Sequence, residues 1–341
     1  MAHLLIAAQR RYWRGWGKGC DTVDDAATDL SLYLAKICAI IQVYNFSRDE
    51  SAMRFGAEDR SKPLAAVIMR APGPAMAKAD PANWHYGTGF DPARAETQHA
   101  ELARIVAASG AEVHWMPSHD DGLSDAVFVQ DPSFVTRHGA VILNMGKALR
   151  RAETDMHATF YESIGVPVIG RLTGDATVES GDCFWLDPQT LAVGRGVRTN
   201  QAGIEALADI LRPYDIAVCA YDLPYWTGPA ACLHLMSLVS PLGQDIALIY
   251  APLLPYALWA EMTARGWTLI HAPEDEFMAS GGLNLNVLTL APRDLVMVDG
   301  FPKTRALMEE AGCRVQVFAG DALCIACEGG PTCLTRPVLR A

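Results

Sequence analysis

From Lys62 onward the apolar and polar positions fall into a pattern that returns five times. Each return is a short apolar run, a loop, a stretch with helical spacing, a break that is usually glycine, and a second apolar run. The first unit takes strand 64–69, helix 94–108 and strand 112–116, and the second takes 140–145, 151–163 and 166–170. The third takes 191–194, 201–211 and 216–220, and the fourth 246–250, 256–265 and 268–271. The fifth takes 295–299, 303–311 and 315–318. After a longer first unit the step settles near roughly fifty residues, a period that points to a ring or stacked array rather than a doubly wound sheet. A helix in every unit separates the pattern from an all-β propeller.

A further apolar run with an out-of-place polar residue precedes each unit. These runs are 127–135 with Asp131, 178–186 with Glu179 and Asp182, 233–239 with His234, 286–290 beside Asn284, and 332–339 with Cys333. The last would close the ring onto the first unit. If five ββαβ units circle one axis, these positions are equivalent and face the centre together. The expected fold is therefore an α/β five-bladed propeller over residues 63–341.

Residues 1–62 do not join the pattern. Their opening is basic (Arg10, Arg11, Arg14, Lys18), and the apolar segment 30–44 is too short to span a bilayer. They read as a helical N-terminal extension of uncertain role, with a start near Met53 as the other reading. The 341 residues carry a net charge of −11, which argues against nucleic acid and is compatible with a small cationic substrate. Nine cysteines, an odd number, favour reduced thiols and a cytoplasmic location. Cys324-x-x-Cys327 lacks a second ligand pair at zinc-site spacing, so no metal and no cofactor are expected. No membrane partner is expected, and a homodimer is compatible with the chain.

The converging residues suit one chemistry. A carboxylate cluster without metal calls for a cation, and a planar guanidinium matches carboxylates by paired hydrogen bonds. Asp131 and Glu179 form such a clamp. The Cys333 thiolate can attack the central carbon, and His234 can protonate the departing nitrogen and then activate water. Taken singly, His234 reads as a core histidine and Cys333 as a packed thiol. Their shared phase in the repeat reverses those readings.

These motifs resemble the guanidino-group modifying enzymes of the pentein fold, which include dimethylarginine dimethylaminohydrolases, arginine deiminases and amidinotransferases. Asp125-Ala-Val-Phe-Val-Gln-Asp131-Pro resembles the family's early acidic motif, and Val178-Glu179-Ser-Gly-Asp182 its Glu-x-Gly-Asp motif. His234-Leu-Met-Ser237 and the C-terminal Cys333 complete the order. The resemblance implies catalytic Cys333, His234 and Glu179. It places Asp131 and Glu179 at the guanidinium, counts Asp125 among the substrate-binding residues, and puts Arg150 and Arg198 at the substrate carboxylate. Met236 and Thr332 lean toward the dimethylaminohydrolases. Gln130 replaces a common glutamate, which implies one acidic group fewer near the substrate. The implied activity is a cysteine hydrolase that forms a covalent thiouronium intermediate and leaves a ureido product. The alternatives are an amidinotransferase and a non-catalytic pentein that only binds.

Overall fold

The computed structural model describes residues 54–60, 62–119, 122–228 and 233–341. The basic opening and the helix expected over 30–44 lie outside the described residues. A compact unit runs from Arg54 to Ala341. Residues 54–60 are part of it. The Gly56 amide donates to the Val338 carbonyl at 2.7 Å, and Glu58 accepts from the Arg137 Nε at 2.6 Å.

Five three-stranded sheets make up the unit. β1 (Leu64–Met69) pairs in parallel with β2 (Glu112–Trp115). β3 (Ser133–Thr136), β4 (Gly139–Ile142) and β5 (Val168–Arg171) form the second sheet. β6 (Cys183–Asp187), β7 (Thr190–Arg195) and β8 (Ala217–Asp222) form the third. β9 (Val239–Pro241), β10 (Ile246–Ile249) and β11 (Thr268–His271) form the fourth. β12 (Leu288–Ala291), β13 (Asp294–Val298) and β14 (Arg314–Phe318) form the fifth. The last strand, β15 (Arg336–Arg340), returns to pair antiparallel with β1 and completes the first sheet. The expected closure is present.

Every sheet repeats one logic. The incoming strand pairs antiparallel with the middle one, through a short turn in four sheets and by the return of β15 to β1 in the first. The middle strand pairs in parallel with the outgoing one, and a parallel pair needs a crossover, supplied by a helix. The middle strands are almost wholly apolar because both faces are covered: all four residues of β4 and of β10 are buried. The outgoing strands β2, β5 and β11 expose their ends. The first crossover helix, Pro92–Ala108, starts two residues before the expected position because Asp91 caps it, its Oδ1 accepting from the Arg94 amide at 3.0 Å.

One expectation changes. The polar residues of the incoming runs do not sit within strands. Glu179 and His234 immediately precede the 3-10 turns Ser180–Asp182 and Leu235–Ser237, and Asn286 immediately follows the turn Leu283–Leu285. Asp131 and Cys333 also lie in turns, ahead of β3 and β15. A strand side chain must point to one face of its sheet. A turn at the strand's start carries no such constraint, and these side chains collect in one cavity instead.

Candidate active site

The cavity is lined by Asp125, Asp131, Lys147, Arg150, Arg198, His234 and Cys333, with Trp84, Cys327 and Glu328 at its side. About 560 Å³ of space is unfilled, its open mouth included.

Asp131 is the buried floor of one side. Its Oδ2 accepts from the Arg150 Nη1 at 2.7 Å, while its Oδ1 is buried without a hydrogen-bond partner. A buried acceptor left unpaired costs about 1–3 kcal/mol, so this oxygen favours a donor delivered from outside. Arg150 is otherwise engaged. Its Nε and Nη2 bond to Glu153 at 2.9 to 3.1 Å, and Nη2 also reaches the Phe128 carbonyl at 2.9 Å. The expectation that Arg150 waits as a fork for a substrate carboxylate is corrected: its guanidinium is spent on buried carboxylates and fixes the angle of Asp131. Asp125 is likewise taken, accepting from the Lys147 Nζ at 2.6 Å and the Tyr86 hydroxyl at 3.1 Å. Lys147 also sits 5.0 Å above the Trp84 ring, which ties the 72–92 loop to this wall.

Glu179 and His234 form the opposite side. The His234 Nε2 and the Glu179 Oε2 lie 2.9 Å apart. The other carboxylate oxygen accepts from the Lys147 amide at 3.0 Å, with Arg198 Nη1 at 3.3 Å. Burial alone would push the Glu179 carboxyl up. The His234 hydrogen bond and charge, with Arg198, outweigh it and hold the group well below its ordinary range. Asp182 stands behind the histidine. It accepts from the Leu235 amide at 2.9 Å and the Thr199 hydroxyl at 2.6 Å, and burial pushes its carboxyl up to about 6. It fixes the turn that carries His234. Gly181 is required there by space: a Cβ on it would lie 2.4 Å from the His234 Nδ1.

Cys333 is half-buried between these groups. Asn286 bridges to it from the next unit, donating from Nδ2 to the sulfur at 3.1 Å while Oδ1 accepts from the Thr332 amide at 2.9 Å. Burial, then the charge of Asp131, pushes the thiol up to about 11, against the pull of Asn286 and His234. At neutral pH the empty site therefore holds a thiol. A cation bound between Asp131 and the sulfur would oppose both causes of that shift.

Asn286 occupies the fourth of the five equivalent positions, and the repeat phase alone marks it. Asn284, its neighbour, instead donates to the Thr304 hydroxyl at 3.0 Å in the core. Lys147 carried no sequence signal beyond its place in the Arg150 segment. Gln130 is a second correction: its side chain lines a different cavity, so its neutrality does not remove a charge from this one. Among the described residues no group of three metal-binding side chains gathers, and no helix is long and apolar enough to cross a membrane.

Comparison with known proteins sharpens the picture. The family model described as arginine deiminase matches residues 118–220, which hold Asp125, Asp131, Arg150, Glu179 and Arg198. The N(G),N(G)-dimethylarginine dimethylaminohydrolase of Pseudomonas aeruginosa is 24% identical over 246 residues, covering 72% of this chain and 89% of that protein. A solved structure of that species' enzyme, a cysteine-to-serine mutant complexed with citrulline, superposes with a TM-score of 0.66 at 21% identity, covering 81% of this chain and 100% of that one. An amidinotransferase from Microseira wollei gives a TM-score of 0.68 at 18% identity, covering 84% and 97%. The chain has the pentein fold. The arginine deiminase of Mycobacterium avium is 28% identical over 253 residues, covering 64% of this chain and 61% of that protein. The similar proteins thus span hydrolases and a transferase on one ring of five units.

Proposed function

We propose that the protein hydrolyses a C–N bond of a guanidino group in a methylarginine- or arginine-type substrate. One observation carries the reading. A buried, unpaired carboxylate oxygen on Asp131 shares a cavity with the Cys333 thiol and the His234–Glu179 pair. That set suits a planar cation held at its nitrogens and attacked at its carbon.

The steps follow from the residues. The bound guanidinium lowers the thiol pKa, and Cys333 Sγ passes its proton to His234 and bonds to the central carbon. The C–N bond to the leaving amine breaks as that nitrogen takes a proton from His234, which leaves a thiouronium on sulfur. His234 then removes a proton from water, the hydroxyl oxygen bonds to the carbon, and the C–S bond breaks. The hydroxyl proton passes to the sulfur as the ureido product departs, which restores the thiol, and His234 releases its own proton to solvent. Glu179 stabilises the imidazolium form and fixes its ring. Arg198, at the cavity wall and only 3.3 Å from Glu179, takes the substrate carboxylate. The six cysteines among the described residues are free, Cys333 included.

The test is product analysis with arginine, monomethylarginine, dimethylarginine and shorter guanidino acids, with Cys333→Ser alongside. Citrulline plus an alkylamine, absent in the variant, supports the dimethylaminohydrolase form. Citrulline plus ammonia from arginine moves the substrate to arginine itself. Turnover only when an acceptor amine is added makes the protein an amidinotransferase. No turnover with any of these, and an inert Cys333, overturns the reading and leaves a binding protein.

A further inference from the structure

A second cavity, of about 510 Å³ with its mouth included, is lined by three arginines, Arg60, Arg336 and Arg340. Arg336 and Arg340 are among the buried charged residues, in a chain whose overall charge is −11. Like charges gathered out of water repel and lose hydration, so such a group calls for a counter-charge. The described residues supply none by contact: none of the three arginines forms an ion pair among them. The nearest acidic influences are Asp59 on Arg340 and Asp131 on Arg336, and neither lines the cavity. The residue that faces the arginines from β3's leading turn is Gln130, which is neutral.

The donors are also left over. The Nε atoms of Arg60 and Arg336 are buried without hydrogen-bond partners. Arg336 is anchored at its other end, its Nη2 donating to the Gln130 carbonyl and, at 2.7 Å, to the Ser180 hydroxyl oxygen. Ser180 keeps its own proton to donate. Arg340 is held by the Lys62 and Thr289 carbonyls at 3.1 and 2.8 Å. Burial, with the charges of Arg340 and Arg336, pushes Arg60 down to about 9, and burial pushes Arg340 down to about 10, so both remain cationic at neutral pH; burial lowers Arg336 as well.

We propose that this cavity is a binding site for a small oxyanion, held by Arg60 and Arg336 with help from the Ser180 hydroxyl. Guanidinium groups match phosphate and carboxylate oxygens by paired bonds, and the unpartnered Nε donors are the ones such a ligand would fill. The site is separate from the candidate active site yet shares two peptide links with it, through Gln130–Asp131 and Thr332–Cys333. The proposal does not depend on the guanidino reading.

The test titrates the full chain with inorganic phosphate and, in a parallel arm, with succinate, both against chloride at matched ionic strength near pH 7. Calorimetry and thermal melting are the readouts. The expected result is saturable binding and a Tm rise of roughly a few degrees at saturation, as for any ligand that binds only the folded state. The stronger arm identifies the oxyanion as tetrahedral or carboxylate. Arg60→Gln is the main variant, because the Arg60 guanidinium has no hydrogen-bond partner among the described residues and its loss should leave the fold intact. It should weaken binding at least about tenfold. Arg336→Gln, which also loses its anchors, should abolish it. Absence of saturable binding in both arms overturns the proposal, as does an Arg60→Gln protein that is folded and binds as tightly as the parent.

Discussion

The thiol of Cys333 provides the sharpest prediction, because its ionisation depends on what fills the site. With the thiol pushed up to about 11, about one sulfur in 10⁴ is a thiolate at pH 7, an ionisation cost of about 5 kcal/mol. A guanidinium or amidinium on Asp131 changes this. At ~4 Å and an effective dielectric of ~20, its attraction for the thiolate is about 4 kcal/mol, enough to raise the thiolate fraction roughly 10³-fold. Alkylation rates at the Cys333 peptide, followed by mass spectrometry, read this directly. A neutral reagent such as iodoacetamide should react slowly at pH 7, with a rate that climbs tenfold per pH unit until about pH 11. A chloroacetamidine should react about 10² to 10³ times faster than its reactivity toward a free thiol would give. Asp131→Asn separates the two causes. It removes the anion that raises the thiol and also the anchor for the cation. The neutral reagent should then react faster than with the parent, and the cationic advantage should collapse. A neutral-reagent rate that levels off near pH 7, or an Asp131→Asn that slows both reagents equally, would refute the reasoning.

Other substitutions test the surrounding groups. Gly181→Ala puts a methyl 2.4 Å from the His234 Nδ1, so turnover should fall about 10²-fold while stability, measured by urea denaturation, falls by only about 1–3 kcal/mol. Glu179 has a depressed folded-state pKa, so its contribution is present above the ordinary carboxylate value of ~4.3 and is lost as pH falls through the lower folded value. The stability gap between parent and Glu179→Gln should therefore be about 2–4 kcal/mol at pH 6 and shrink below pH 4. Asn286→Ala removes the only side-chain donor to the Cys333 sulfur among the described residues. Iodoacetamide labelling at pH 9 should slow by about tenfold or less, with a loss of about 1 kcal/mol in stability.

The architecture was legible because the middle strands must be apolar on both faces and each crossover helix must end before its outgoing strand. Those two constraints recur in all five units, so the period survives despite irregular loops. The same phase located Asp131, Glu179, His234 and Cys333. It also marked the run 286–290 beside Asn284, but not that Asn286 would reach Cys333 while Asn284 turns to the core. What the sequence could not carry was pairing. Arg150 and Lys147 lie three residues apart, yet one is bound to Glu153 and Asp131 while the other reaches Asp125. Which carboxylate each cation takes depends on the direction of a turn, not on residue type. Gln130 illustrates the same limit. It adjoins Asp131 in the chain, but both lie in a turn, where neighbouring side chains need not share a side. It lines one cavity with Arg336, whose guanidinium donates to the Gln130 backbone carbonyl from 206 residues away, a pairing that no local pattern reveals.

The central claim is that Cys333 becomes covalently bound to the guanidino carbon. The direct measurement is intact-protein mass after rapid acid quenching of a reaction with whichever arginine derivative is turned over. The account predicts a transient adduct, mapped to the Cys333 peptide, with the mass of the substrate less its departing amine or ammonia. It should be absent in Cys333→Ser and form far more slowly in a His234→Gly variant, where the departing nitrogen receives no proton. Turnover that persists in Cys333→Ser, or an adduct on another cysteine, would contradict it.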